Sequence, residues 1–117
     1  MAAPNIISPT TINGKTAVLA VTTSATAIIT NSAASGKVLK VDQLLVTNVN
    51  GTTNATVNAD VYRSSTAYRM AYQVIIPPNA GLDVISKYII LEEGDSLRLT
   101  ADSASKLEAV ASYEVIS

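Results

Sequence analysis

The side chains that could perform chemistry in this 117-residue chain are few, because the sequence contains neither histidine nor cysteine. Without these residues, no Ser-His-Asp or Cys-His nucleophilic system, no imidazole or thiolate zinc site and no disulfide can form. Carboxylate, lysine and tyrosine chemistry remains. We therefore expect the chain to be non-enzymatic and to carry no cofactor.

The densest group of carboxylates is the segment Glu92-Glu93-Gly94-Asp95. Three carboxylates within four residues could hold a calcium ion if backbone carbonyls completed a shell of six to eight oxygens. The segment lacks the alternate-residue acidic spacing of an EF-hand loop, which favours a solvated turn. Glu92, Glu93 and Asp95 are the calcium candidate, and no other metal site is predicted.

Two other groups of side chains have a functional and a structural interpretation. Asp42, Asp60, Asp83 and Glu108 could meet in space as a pair for glycosidic hydrolysis, although nothing in their spacing indicates it. Tyr62, Tyr68 and Tyr72 could form a sugar-stacking platform, but tyrosine in strands more often fills a core or an interface. We favour the structural interpretation of both groups.

The charge pattern argues against two classes of partner. The net charge is −1, and the eight basic residues are scattered, whereas nucleic-acid binding needs clustered Lys and Arg. The longest apolar runs fall far short of the roughly 18 to 20 residues that span a bilayer. The N-terminus has no basic, apolar leader. We expect synthesis in the host cytoplasm without a signal peptide, and no nucleic-acid or membrane partner.

The fold class follows from the apolar residues, which are mainly Val, Ile, Leu and Ala with no Phe or Trp. Such β-branched, aliphatic side chains suit a pleated surface. Short alternating segments between turn signals predict an antiparallel β-sandwich, jelly-roll or immunoglobulin-like, with about eight or nine strands. In the segment from Thr66 to Ile76, the face that carries Tyr68 and Tyr72 is expected to pack inward.

Turn residues predict where these strands are connected. Asn13-Gly14 is expected to form a tight turn before the first core strand, and residues 50–54 are expected to close a β-hairpin. Residues 77–81 are expected to form a loop, since two prolines remove backbone donors. Residues 92–95 are expected to turn between the strands of a second hairpin-like unit.

The first fourteen residues are predicted to be an extended arm, and residues 15–117 a single β-sandwich domain. Pro4 and Pro9 favour extended backbone, and Ile6, Ile7 and Ile12 are apolar anchors for an interface. The arm could reach a neighbouring subunit, or it could be an edge strand of its own sheet. Both alternatives stay open at this point.

From Val38 onward the order of the segments resembles small β-sandwich virion proteins of tailed bacteriophages. The opening residues extend the resemblance, which is closest to structural proteins of contractile-tailed phages that infect marine cyanobacteria. The segments that carry it are Pro4-Asn5-Ile6-Ile7, Gly14-Lys15-Thr16, Leu44-Leu45-Val46-Thr47-Asn48-Val49, Asn50-Gly51-Thr52, Val57-Asn58-Ala59-Asp60-Val61-Tyr62 and Leu91-Glu92-Glu93-Gly94-Asp95-Ser96-Leu97.

The resemblance implies a virion structural protein present in many copies, with no catalytic residues to carry over. Capsid decoration is the first expectation, with a major capsid or other virion protein as partner. The alternative is a neck, tail or fibre component acting as a receptor-binding or adhesive module. Near-neutral charge and many apolar strand positions also predict self-association, as a homotrimer suited to threefold sites on a shell.

Overall fold

The computed structural model describes residues 11–117, and this part of the chain folds into nine β-strands without any helix. It therefore contains no helix long and apolar enough to cross a membrane. The predicted all-β class and strand number are confirmed. The strands are β1 (Ile12–Ala20), β2 (Thr26–Thr30), β3 (Val38–Asn48), β4 (Ala55–Arg63), β5 (Thr66–Ile76), β6 (Gly81–Asp83), β7 (Ile89–Leu91), β8 (Ser96–Ala101) and β9 (Leu107–Ile116).

The strands form two antiparallel sheets packed as a sandwich. The first sheet has the order β1-β9-β3, and both β6 and β7 pair with the other side of β3. The second sheet has the order β2-β8-β4-β5. Early strands thus pair with late ones in a nested series: β1 with β9, β2 with β8, β3 with β6 and β7, and β4 with β5. This nesting is the topology of a jelly roll, so the jelly-roll alternative of the sequence prediction holds.

The innermost pair of the nested series is a tight hairpin. Strands β4 and β5 are joined at Ser64 and Ser65, which have positive φ angles of 52° and 61°. Two successive residues with positive φ give the turn type whose twist matches that of the flanking strands. The sequence did not reveal this hairpin, because the dipeptide is Ser-Ser rather than Asn-Gly.

The core lies between the inner faces of the two sheets and is aliphatic. In β9, Leu107, Ala109 and Ala111 are buried and Glu108 and Ser112 are exposed, which is the alternation of a strand with one face in the core. Strand β8 alternates between buried and half-buried residues from Leu97 to Ala101. Strand β4 does so from Ala55 to Ala59, after which Asp60 is also buried. The fully buried large side chains include Leu44, Ile76, Leu91, Leu97, Leu99, Leu107, Val21, Val41, Val46 and Val57.

Both hairpins predicted from turn residues are wrong. Residues 50–54 connect β3 to β4, and residues 92–95 connect β7 to β8, but each connection passes from one sheet to the other. The Asn50 side chain accepts bonds from the backbone N–H groups of Thr52 and Thr53. Such a local side-chain turn reverses the chain equally well within a sheet or between two sheets, so turn composition alone does not distinguish them. The predicted loop at 77–81 is confirmed up to Gly81, where β6 begins.

The turn predicted at Asn13-Gly14 is also wrong. Both residues lie inside β1, where Asn13 pairs with Val115 and Gly14 with Glu114, and neither has a positive φ angle. The nine consecutive pairs with β9 override the turn preference of the dipeptide. Residues 12–14, assigned above to the arm, therefore belong to the first sheet. Ile6 and Ile7 lie outside the described residues.

The predicted inward face of β5 is a further correction. Tyr68 and Tyr72 are more than half exposed, and of their predicted face only Ile76 is fully buried. Two register shifts interrupt the pairing with β4, and Gln73 has a positive φ of 52°. Each irregularity changes which face the following side chains occupy. A strict alternation therefore does not describe this edge strand.

Asn48 is a buried polar side chain that connects β3, the following loop and the end of β5. Its amide nitrogen donates to the carbonyl oxygens of Thr53 and Ile76, and its amide oxygen accepts from the N–H of Asn50. Replacing Asn48 with Ala removes these three hydrogen bonds and leaves the two carbonyl oxygens and the N–H of Asn50 without them. We expect Asn48→Ala to lower the free energy of unfolding by about 2 to 4 kcal/mol, measured by urea denaturation.

Asn54→Ala is the matched control, since the Asn54 side chain is exposed and should change stability by less than about 0.5 kcal/mol. Equal effects of the two substitutions would show that the Asn48 network does not stabilise the fold.

Candidate functional site

The acidic turn forms an ion-paired corner rather than an open carboxylate cluster. Arg63, at the end of β4, donates from Nε to Oδ1 of Asp95 at 2.8 Å and from Nη2 to Oδ2. The same guanidinium lies 2.9 Å from a carboxylate oxygen of Glu92. Asp95 also accepts the backbone N–H of Glu92 at 2.8 Å. The bidentate contact ties the β7–β8 connection to the end of β4.

The third candidate carboxylate faces another part of the molecule. Glu93 accepts the backbone N–H of Gly36 at 2.8 Å, whereas Glu92 and Asp95 are engaged by Arg63. Within residues 11–117 no three His, Cys, Asp or Glu side chains are placed to hold a metal ion together. The carboxylates of Glu92, Glu93 and Asp95 are thus directed to protein partners in this structure.

The four other acidic residues singled out from the sequence do not meet. Asp60 is bound through both oxygens by Arg69, and Asp42 lies 3.8 Å from Lys40. Asp83 accepts the N–H of Ile85, and Glu108 lies on the exposed face of β9. None of these geometries resembles a carboxylate pair facing a shared substrate.

The three tyrosines lie apart and do not form one stacking platform. Tyr62 and Tyr68 project to opposite faces of their sheet, because Tyr68 pairs with Val61, the neighbour of Tyr62. Arg98 stacks 3.4 Å from the centre of the Tyr62 ring, and Arg69 lies 5.0 Å from that of Tyr72. The sequence did not predict these pairs. Tyr62 and Arg98 come from different strands, and Arg69 and Tyr72 both lie on β5, where register shifts interrupt the strict alternation. The outer face of the second sheet therefore carries two tyrosine–guanidinium pairs.

The outer face of the first sheet carries exposed apolar side chains that the sequence did not single out. Val18 is 74% exposed, and in register beside it the exposed Val110 and the half-buried Leu45 form an apolar row across β1, β9 and β3. Ile12, predicted as an interface residue, is 54% exposed at the other end of β1. We name Ile12, Val18, Val110 and Leu45 the apolar face. Exposed apolar groups of this kind favour contacts with another protein.

The clefts on the described surface are small and open. Two of them hold about 330 Å³ each, which is at the lower end of the volume that small-molecule sites occupy. One is lined by Val18 and Val110 of the apolar face. The other, between the sheets, is lined by Val61, Arg63, Tyr68 and Ile90.

Comparison with known proteins finds similarity at the level of the fold. No protein-family model matches the chain, and no curated protein sequence is similar to it. A solved structure of Bacillus endospore appendages, described as a novel family of disulfide-linked pili, is similar with a TM-score of 0.54. The two chains are 9% identical, and the match covers 92% of this chain and 87% of the other. At this identity the likeness shows a shared fold.

The ion pairs of Arg63 with Asp95 and Glu92 predict that the protein loses stability in acid. The hydrogen bond and charge of Arg63, together with the backbone N–H of Glu92, lower the pKa of the Asp95 carboxyl, and burial opposes this effect. A carboxyl with a lower pKa in the folded state stabilises the fold above its unfolded pKa of about 3.9. That contribution is lost as the pH falls through the folded-state pKa. We expect Asp95→Asn to destabilise the protein at pH 7, and the difference from wild type to shrink in acid.

Chemical denaturation at a series of pH values between about 7 and 2 measures this difference. Asp42→Asn is the control, because its 3.8 Å contact with Lys40 is exposed and contributes about 0 to 1 kcal/mol. A difference between Asp95→Asn and wild type that stays constant with pH would contradict the assignment.

Proposed function

We propose that this chain is a non-enzymatic virion structural protein, and that it decorates the capsid in many copies. The observation that carries the proposal is the apolar face, because it leaves large aliphatic side chains exposed on a sheet whose inner side already forms the core. Such a surface suits contact with a second protein. The proposed partners are other copies of the chain and a major capsid or other virion protein.

The ionisable groups support a role without catalysis. The buried carboxylates of Asp60 and Asp95 are bound to arginines, and within residues 11–117 no buried side-chain polar atom lacks a hydrogen-bond partner. A group that is fully engaged in the fold is poorly placed to bind a reacting substrate. These side chains serve the architecture in our proposal.

The fold and the sequence resemblance support the setting in different ways. The jelly roll is similar to a chain of bacterial spore appendages, a structural assembly, and the segment order resembles phage virion proteins. The appendages are described as disulfide-linked, whereas this chain contains no cysteine. Disulfides therefore cannot link copies of this chain, and in our proposal strand edges and apolar side chains make the contacts.

A second candidate is a neck, tail or fibre component that binds a receptor. The two tyrosine–guanidinium pairs on the outer face of the second sheet favour it, because aromatic rings and guanidinium groups together bind sugars and proteins. In this alternative the second sheet meets the receptor and the first sheet meets the particle.

Labelling of intact particles tests the proposed location. We expect gold-labelled antibodies against this chain to mark the heads of the phage that encodes it. Quantitative mass spectrometry should find the chain in a copy number comparable with that of the major capsid protein. Label confined to the neck, tail or fibres would favour the second candidate, and absence from purified particles would refute both.

The predicted interface residues Ile6 and Ile7 allow a test of the arm. Thr11 exchanges two backbone hydrogen bonds with Ser117, so a deletion that preserves the sheet should end at residue 10. We expect this deletion to leave the domain folded and to reduce its incorporation into particles. Burial of one Ile contributes about 1.5 to 3 kcal/mol. Ile6→Ser with Ile7→Ser should have the same effect, and Ala2→Ser with Ala3→Ser is the control.

Circular dichroism and a particle-binding assay separate the outcomes. A truncated chain that unfolds would show that the arm belongs to its own domain. A truncated chain that still binds particles at full occupancy would show that attachment does not use the arm.

A further inference from the structure

Among the described strands, β1 has the longest regular edge with which no other strand pairs. Its nine residues pair with β9 without a register shift, and within the described chain no strand pairs with its other side. A strand in this position presents a row of backbone donors and acceptors to any other strand that approaches.

The hydrogen bonds at its ends show which backbone groups face outward. Thr11 and Ser117 bond to each other in both directions, and Val21 donates to Leu107. In an antiparallel ladder, such pairs recur at every second residue. The odd-numbered residues of β1 therefore bond to β9. The outward-facing N–H and C=O groups belong to Ile12, Gly14, Thr16, Val18 and Ala20.

The other edges carry features that oppose pairing. Strand β2 has five residues and a register shift against β8, and β6 and β7 have three residues each. Strand β5 is long, but it is interrupted by two register shifts and by the positive φ of Gln73. Short strands and bulges are devices that protect edges. Strand β1 has neither, nor a proline.

We infer that β1 pairs in antiparallel register with β1 of a second copy, across a twofold axis at Thr16. This register places every outward-facing residue opposite another: Ile12 opposite Ala20, Gly14 opposite Val18, and Thr16 opposite Thr16. The inference builds on the proposed self-association, but it does not depend on a virion setting. It joins the two first sheets into one continuous sheet.

The side chains suit this register. Val18, the most exposed large apolar side chain of the described residues, lies beside Gly14 of the second copy. A Cβ atom at Gly14 would have no neighbour within 4 Å, so this position has room for a branched side chain beside it. The only charged side chain of β1, Lys15, lies opposite Ala17 of the second copy. No like charges stand directly opposite one another, and the two Lys15 side chains are diagonal neighbours across the axis.

Charged substitutions at the twofold axis provide a specific test. Thr16→Glu and Thr16→Lys each place two like charges opposite one another in the homodimer. We expect analytical ultracentrifugation to show a wild-type dimer. Each variant should raise its dissociation constant about tenfold or more. An equimolar mixture of the two variants should recover dimers, and native mass spectrometry should identify these as mixed.

Thr66→Glu and Thr66→Lys are the matched controls, because Thr66 is an exposed threonine on β5 and should leave the dimer unchanged. Thr16→Pro is a second variant, which tests the pairing of β1 without adding a charged side chain. It removes an outward-facing N–H but no hydrogen bond to β9, so the domain should fold and the dimer should be lost.

Deleting residues 1–10 shows whether the dimer forms through the edge of β1 or through the N-terminal arm. A dimer that survives this deletion supports pairing through β1, and a dimer that disappears on deletion contradicts it. The inference also fails if the wild-type chain is a monomer at high concentration. A trimer, as predicted from the sequence, that is insensitive to the Thr16 substitutions would contradict it as well. Particle labelling is independent of these outcomes, so the inference and the proposed function can fail separately.

Discussion

The structure depends on the position of β9 between β1 and β3. This strand forms ladders along most of its length on both sides, and it thereby joins the two ends of the described chain in the centre of one sheet. The remaining strands nest inside this pairing. Because β9 occupies the place beside β3, β1 is left at the edge, and no strand within residues 11–117 pairs with its other side. The surface available for assembly is a consequence of how the jelly roll closes.

The aliphatic core imposes a second constraint. All of the fully buried apolar side chains are aliphatic, and Tyr68, Tyr72 and Tyr88 are more than half exposed. Aliphatic residues fill the space between the sheets, and Tyr113 packs, partly buried, against them. On the outer face of the second sheet, arginines stack on Tyr62 and Tyr72. The buried carboxylates of Asp60 and Asp95 are balanced by arginines from neighbouring segments. These two buried ion pairs therefore hold loops and strands in place.

The sequence predicted the features that depend on local alternation and composition. The all-β class and the strand number follow from period-two patterns and from the turn signals between them. The partners of each strand did not follow, because the turn at Asn50 reverses the chain in the same way within one sheet or between two. Asn13-Gly14 was mistaken for a turn because the ladder with β9 overrides local preference. Arg63 was missed because its partner, Asp95, is 32 residues away along the chain.

We propose that the molecule acts through the surface that β1 leaves open. Amide hydrogen exchange at Gly14, Thr16 and Val18, measured over a range of protein concentrations, tests it most directly. The account predicts that these amides exchange rapidly in dilute protein and become protected as copies associate, whereas β9 amides remain protected throughout. Rapid exchange at these three positions in the fully associated protein would contradict the account.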